Sequence, residues 1–455
     1  MEIAVKEVIM KIIGSLVLAI CLISCNSHGQ EDSIRRSDSL NSYQNRVFFG
    51  VIDTAMTDKY PFIHFERNHF TFYTENSANF EKLYYDFQRM IQQKDRKLNF
   101  YHIGGSHLQA DLYTHQIRTY LQTNWAGLPG ERGLIFPFDL AGTNNPWNYE
   151  FKSPNKWRRF RSVTDRPDSL DYGILGAVIE CADSAIQIQF QYDKTIVKPG
   201  FDHLRIYHNK GNVPYSLNFG EDEILVLRKQ TNIEIGYTDI YFTDELQSFN
   251  AYFSRDSIQT YPLRIMGFQL LNQQPGISYT TIGVNGASLP TYLNNKFFEE
   301  QLREFPPDLF AFSVGTNDAN TTYANFRPEV FRANLDSLIQ VVLRVNPNCA
   351  ILLTVPNDAY FQKRYMNKNV AREREMIIQL ARKYEAAVWD MYGIMGELGA
   401  AKTWSRAGLM KSDLVHFTAN GYRLKGDMFY ESFLKWIEQM ELRKLQSEKL
   451  ENGKI

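Results

Sequence analysis

Apolar and polar positions alternate in three distinct textures along this chain. Over residues 79–146, and again from 275 to 445, short continuous apolar runs alternate with stretches of helical spacing. The runs at 97–103, 277–282, 309–314, 350–355 and 387–390 predict buried strands. The stretches 79–96, 112–123, 293–304, 328–345 and 369–384, and a long one from Gly421, predict amphipathic helices. In 79–96, for example, Phe80, Leu83, Phe87 and Ile91 share one stripe. Apolar strands joined by such helices predict a parallel sheet covered on both faces, a three-layer α/β/α domain. Short strands are expected earlier, at 62–65 and 70–73.

From 147 to 274 the helical period disappears. Ile186, Ile188 and Phe190 alternate with Gln187 and Gln189, the period of half-buried strands, and similar runs occur at 203–207, 223–227 and 264–268. Turn residues separate them, which predicts an inserted antiparallel β-sandwich of the jelly-roll kind. The third texture is at the N-terminus. Lys6 and Lys11 precede an apolar run, 12–23, too short for a comfortable membrane span. It ends in Leu22-Ile23-Ser24-Cys25, which resembles a bacterial lipobox with Cys25 as the lipidated residue; Met10 is a second candidate start. The expected organisation is a signal peptide (1–25), a polar tether (26–45), the first part of an α/β domain (46–146), the insert (147–274), the second part (275–445) and a polar tail (446–455). Asn26 follows the cysteine, so an outer-membrane anchor is expected, with the leaflet open.

With 455 residues, 44% hydrophobic and 14% aromatic, the chain can bury large cores. Its 50 basic and 51 acidic side chains leave a net charge of -1, so no global charge favours nucleic acid. Of four cysteines, Cys21 and Cys25 lie in the signal segment. Cys181 and Cys349 read as small buried residues, since no metal-ligand spacing is present.

Four segments fall where parallel sheets place their ligands, beyond the C-terminal ends of strands. Gly104-Gly105-Ser106 joins a strand to a helix, and on its own it is either a nucleophile turn or a plain turn with Ser106 as N-cap. Gly286, Gly315-Thr316-Asn317-Asp318 and Asp413-Leu414-Val415-His416 complete the set. Acyl transfer needs a hydroxyl, a base and an acid that fixes the base: Ser106, His416 and Asp413. It also needs donors for an oxyanion: the N–H groups of Ser106 and Gly286 and the Asn317 amide.

In this order the four segments resemble the SGNH, or GDSL-like, hydrolases. The likeness covers about 46–146 and 275–445 and implies a flavodoxin-like α/β fold and a serine esterase that uses neither metal nor cofactor. The departure is Gly105, where the family usually has Asp, which puts the turn and the rate in question. Gly104-Gly105-Ser106-His107-Leu108-Gln109-Ala110-Asp111 and the stretch around Trp389-Asp390-Met391-Tyr392 look like lipoprotein members from Bacteroidetes-type bacteria. An insert between the serine and glycine segments resembles the arrangement in peptidoglycan O-acetylesterases. The resemblance thus implies hydrolysis of O-acetyl esters on a cell-envelope or other polysaccharide, with an acetylated glycan as partner and the membrane reached through the lipid. An O-acetyltransferase and a non-catalytic glycan-binding lipoprotein are the alternatives.

The remaining polar residues have plainer readings. His107 and His115 lie near the serine without carboxylates at metal-ligand spacing. Asp111 is placed to complement a helix dipole and Asp318 to orient the Asn317 turn. Trp147, Trp157 and Trp404 suit the core better than a sugar platform, and Arg158, Arg159 and Arg161 suit a solvated rim.

Overall fold

Five apolar runs become the parallel strands of one sheet. In sheet order they are Ala387–Asp390, Ala350–Val355, Leu309–Ser313, Lys97–Gly104 and Gly276–Gly283, with the two-residue strand Thr71–Phe72 antiparallel at the Ala387–Asp390 edge. Numbered along the chain, the parallel strands stand in the order 2-1-3-4-5, the flavodoxin-like arrangement. The chain turns from one side of its first strand to the other, so Lys97–Gly104 and Leu309–Ser313 flank the switch point where such sheets open a crevice. The computed structural model describes residues 51–451 except 126, 166–169, 212–213 and 257–260, with only the backbone for 449–451. The signal segment, Cys25, the tether and residues 452–455 lie outside the described residues. The compact unit that holds these strands begins at Thr54.

Helices cover both faces. Leu112–Thr123 and Ala78–Gln93 pack against the closing helix Ala419–Glu451 on one side, while Pro328–Val345 packs against Asn369–Tyr384 on the other. The first layer is locked by aromatic edges: Phe80 meets Trp436 at 5.5 Å, Phe87 meets Phe433 at 5.5 Å, and Trp389 of the sheet meets Phe429 at 5.1 Å. Edge-to-face geometry adds to the large apolar area that these rings bury. The closing helix runs on to Glu451, through the first residues of the expected polar tail. Among the described residues no helix is long and apolar enough to cross a membrane.

The insert supplies six strands of a seven-stranded antiparallel sheet and all of a four-stranded one. Their facing sides share a phenylalanine core. Phe151 and Phe249 of the smaller sheet, both packed against Phe190, meet Phe268 of the larger, with Phe151–Phe268 at 5.0 Å and Phe249–Phe268 at 5.6 Å. The β structure also recruits Gly133–Ile135, which pairs with Leu263–Leu271 ahead of residue 147.

Some local expectations fail, for identifiable reasons. Residues 62–65 form no strand: Asn68 donates to Met428 O and accepts from Trp389 Nε1, which ties the segment into a 3-10 turn at Phe65–Arg67. Of 70–73, only Thr71–Phe72 pairs. The run at 223–227 begins as the 3-10 helix Gly220–Leu225, because Gly220 has φ +60° and the Glu223 carboxylate accepts from Phe219 N–H. The single helix expected over 293–304 is two, Leu289–Leu293 and Phe298–Glu304. A Ser288/Thr291 capping box with Pro290 starts the first early, and Asn294 closes it.

Candidate active site

The nucleophile turn is shaped by close approach. A Cβ on Gly104 would lie 2.6 Å from Ser313 O, and one on Gly283 would lie 2.5 Å from Gln109 N. Glycine at both positions lets three strand ends converge, and the Tyr292 hydroxyl donates to Gly104 O to hold the bend. Ser106 then opens the short helix Ser106–Gln109. Its Oγ stands 2.8 Å from His416 Nε2, although 310 positions separate them in sequence.

The other end of this chain of bonds is a tight loop before the closing helix. Asp413 Oδ1 accepts the N–H groups of Val415 and His416, both at 2.9 Å, and Leu414 takes φ +54° to let the loop fold back. The second oxygen, Oδ2, is 2.8 Å from His416 Nδ1. Burial raises the Asp413 pKa, but the two backbone donors and the imidazole outweigh it, and the net shift is downward. A carboxylate there fixes the proton on Nδ1 and leaves Nε2 as the acceptor for the serine hydroxyl. The structure thus brings Ser106, His416 and Asp413 together in one line.

Gly286 and Asn317 lie beside it. Gly286 has φ +83°, a left-handed conformation suited to glycine, in a loop braced by Asn285. Asn285 N–H donates to Gln109 Oε1 at 2.7 Å, and its side chain donates to Asn144 Oδ1. Asn317 Nδ2 donates to Ala287 O at 2.8 Å, leaving the second amide hydrogen for a ligand. Among the described residues, the N–H groups of Ser106 and Gly286 have no protein acceptor. Three donors therefore remain near the serine, as an oxyanion requires.

Gly105 also acquires a physical reason. A Cβ there would stand 2.8 Å from Asn317 Nδ2, so the Asp usual in the resembled family would displace the amide. Gly105→Asp and Gly105→Ala are expected to lower kcat at least about tenfold, since misplacing a donor by an ångström can cost up to about a hundredfold. Steady-state kinetics on p-nitrophenyl acetate check this; a faster Gly105→Asp enzyme would contradict it.

Residues 261–424 match the model of the GDSL-like Lipase/Acylhydrolase family. The chain carries a GDSL-like hydrolase domain. It is an enzyme that acts on ester bonds. The match includes Gly286, Asn317, Asp413 and His416, while Ser106 stands ahead of it across the insert. Among solved structures, a peptidoglycan O-acetylesterase is similar over 81% of this chain and 99% of its own, at 19% identity and TM-score 0.68. A lipase/acylhydrolase from Enterococcus faecalis (19% identity, 34% of this chain and 74% of its own) and an acetyl xylan esterase (18%, 34% and 80%) reach TM-scores of only 0.27 and 0.28. No curated protein matches the chain.

Within the hydrolase, the remaining polar and aromatic residues have specific partners, and Asp111 departs from the sequence reading. Asp111 does not simply complement a helix dipole. It is buried in the left-handed region (φ +49°), ion-paired to Arg118 at 3.0 Å and Arg132 at 2.8 Å, and bonded by Thr114 and Thr281. His107 is also buried. Its Nδ1 meets Tyr422 OH at 2.9 Å, its ring packs 5.1 Å from that of His416, and burial holds its pKa well below normal. Trp404 is core, donating to Met395 O; Trp157 donates to Ser153, and Trp147 packs edge-on against His115. Arg158 pairs with Glu180, while Arg159 holds the carbonyls of Ala141 and Gly142. Cys181 and Cys349 are buried and free, and among the described residues no His, Cys, Asp and Glu group could hold a metal. Tyr292, Tyr422 and Arg132 carry no local motif to mark them; their partners Gly104, His107 and Asp111 lie 188, 315 and 21 positions away.

Asp318 accepts from Leu289 N–H, and burial lifts its carboxyl from 3.8 to about 7. Beneath it, burial and then Asp318 push Glu373 well above its usual range. For a carboxyl raised in the fold, the folded state holds more protons than the unfolded one, so stability falls as pH rises from about 4 to about 7. Asp318→Asn keeps the acceptor for Leu289 and is expected to remove roughly 1 kcal/mol per pH unit of that slope. Thermal melts at pH 5, 6 and 7 check it, and equal slopes in both proteins would contradict it.

Proposed function

We propose that this hydrolase is a serine esterase that removes O-acetyl groups from a cell-envelope polysaccharide, peptidoglycan first among them. The observation that carries the reading is the continuous bonded line from Ser106 Oγ through His416 to the Asp413 carboxylate. The Ser106 oxygen attacks the acetyl carbonyl as its proton passes to His416 Nε2. The tetrahedral oxyanion is met by the N–H groups of Ser106 and Gly286 and by the Asn317 amide. Collapse expels the sugar alkoxide, which takes the proton from His416 and leaves acetyl-Ser106. Water, deprotonated by the same imidazole, then releases acetate and restores the hydroxyl.

The peptidoglycan assignment is supported by the overlay on a protein named a peptidoglycan O-acetylesterase, which extends over 99% of that chain and 81% of this one. The Cys25 lipobox fits it, since a lipid anchor at the outer membrane would hold the enzyme beside envelope glycan. The test is acetate release from O-acetylated peptidoglycan and from acetylated xylan by the chain lacking residues 1–25. Greater release from peptidoglycan is expected. Release only from xylan would move the substrate, and acetyl found on an added sugar acceptor instead of in acetate would make the enzyme a transferase.

A further inference from the structure

Behind the nucleophile turn, the helix Leu112–Thr123 faces the insert across a small cavity that ester chemistry does not use. His115, Thr119, Gln122 and Arg132 form one side; Tyr192 and Thr195 of the insert form the other. It has about 10 Å³ of room, enough for one water-sized species.

The charges around it do not balance. The Asp111 carboxylate serves both Arg118 and Arg132. Arg118 is fully used: Nε donates to Tyr279 O, and its two terminal nitrogens reach Asp111, Thr281 and His115. Arg132 is not. Its Nη2 meets Asp111 and Asn148, but among the described residues Nε and Nη1 have no acceptor, and the side chain is only 5% exposed. The next carboxylate, Glu131, is matched by Lys97 at 2.6 Å. Burial and the Arg118 charge push His115 down to about 3, so it adds no positive charge at neutral pH. One guanidinium charge is left over, in a setting where an unmatched buried charge costs several kcal/mol.

We propose that this cavity binds a single halide ion, chloride in the native setting, held by the Nε–H and Nη1–H of Arg132. Room for one small species suits a monatomic ion better than an oxyanion such as phosphate or acetate. A water could bridge Arg132 to Gln122 Oε1, which also lacks a partner, but it would leave the charge uncompensated. A halide removes that charge and ties the insert, through Asn148 and Thr195, to the helix that follows Ser106. Because the ion binds only the folded protein, it stabilises by mass action.

The experiment compares thermal melts in sodium chloride and in sodium gluconate at equal ionic strength, and locates bromide by anomalous scattering in soaked crystals of the untagged chain lacking residues 1–25. The expected result is a chloride-specific rise in Tm of about 2 °C per tenfold increase above the dissociation constant, with a bromide peak at the Arg132 guanidinium. Arg132→Met is expected to lose the response. If that variant fails to fold, the two wild-type measurements decide alone. No bromide peak beside Arg132, and equal melting in the two salts, would overturn the proposal and leave water in the cavity. Neither readout involves turnover, so failure here would not touch the esterase reading.

Discussion

Ser106→Ala and His416→Ala are each expected to lower kcat on p-nitrophenyl acetate by about 10⁴-fold or more, with little change in KM. The first removes the atom that forms the acyl-enzyme. The second leaves the hydroxyl with no base at 2.8 Å and the leaving alkoxide with no acid. Asp413→Asn is a sharper probe of the same line. Its side-chain oxygen can still accept from Val415 and His416 N–H, so the loop is retained. Its amide would donate to Nδ1 and force the imidazole proton onto Nε2, where it blocks acceptance from Ser106. A comparable fall, of roughly 10⁴-fold, is expected without loss of folding. The double variant Ser106→Ala/His416→Ala should be little worse than either single one, because the two groups act as a unit. Multiplicative losses in the double variant would contradict the shared pathway.

The second large effect is on stability. Asp111→Ala is expected to destabilise the protein by about 3–5 kcal/mol, because it strips a fully buried carboxylate from two guanidiniums at once. Arg118 and Arg132, both nearly fully buried, would then repel each other with no carboxylate between them. Asp111→Asn should fare little better, since it keeps the volume and loses the charge. Burial opposes ionisation of Asp111, but the Arg118 and Arg132 charges and the Arg118 hydrogen bonds win and hold its carboxyl far below the usual range. A carboxyl depressed in this way contributes stability that is present above its unfolded pKa and is lost only as pH falls through its folded pKa. Between pH 7 and 4 the Asp111 contribution should therefore be constant. Urea unfolding of wild type and Asp111→Asn across that range measures it; a deficit below about 1 kcal/mol would show that Asp111 is a surface-like pair.

The sheet was legible because its strands are short, apolar and separated by well-marked helices. Pro328–Val345, Ala350–Val355 and Asn369–Tyr384 occur at the residues where periodicity puts them. Failures cluster where tertiary bonds override local pattern. The apolar stretch at 62–65 resembles a strand, yet Asn68 binds the closing helix and Trp389 instead. The run at 223–227 is interrupted because Gly220 and the Glu223 carboxylate favour a turn that hydrophobicity alone does not show. At the site, Ser106, Asn317, Asp413 and His416 could be proposed from spacing because each follows a strand or precedes a helix in a short motif. The groups that hold them could not. Tyr292 reaches Gly104 across 188 positions, and Tyr422 reaches His107 across 315. Asp111 was visible, but its partner Arg132 lies beyond the helix that separates them, and an isolated Asp next to a helix start points first to the dipole. Gly105 reads as a defect in one dimension and as clearance for Asn317 in three.

The measurement that reaches the central claim most directly is peptide mapping of the chain lacking residues 1–25 after reaction with a fluorophosphonate, which traps an activated serine as a stable ester. The expected result is one adduct, on Ser106, absent from Ser106→Ala and slowed at least a hundredfold in His416→Ala. An adduct on another serine, or equal labelling of Ser106 with and without His416, would contradict the assignment of Ser106 as a nucleophile activated by the His416–Asp413 pair.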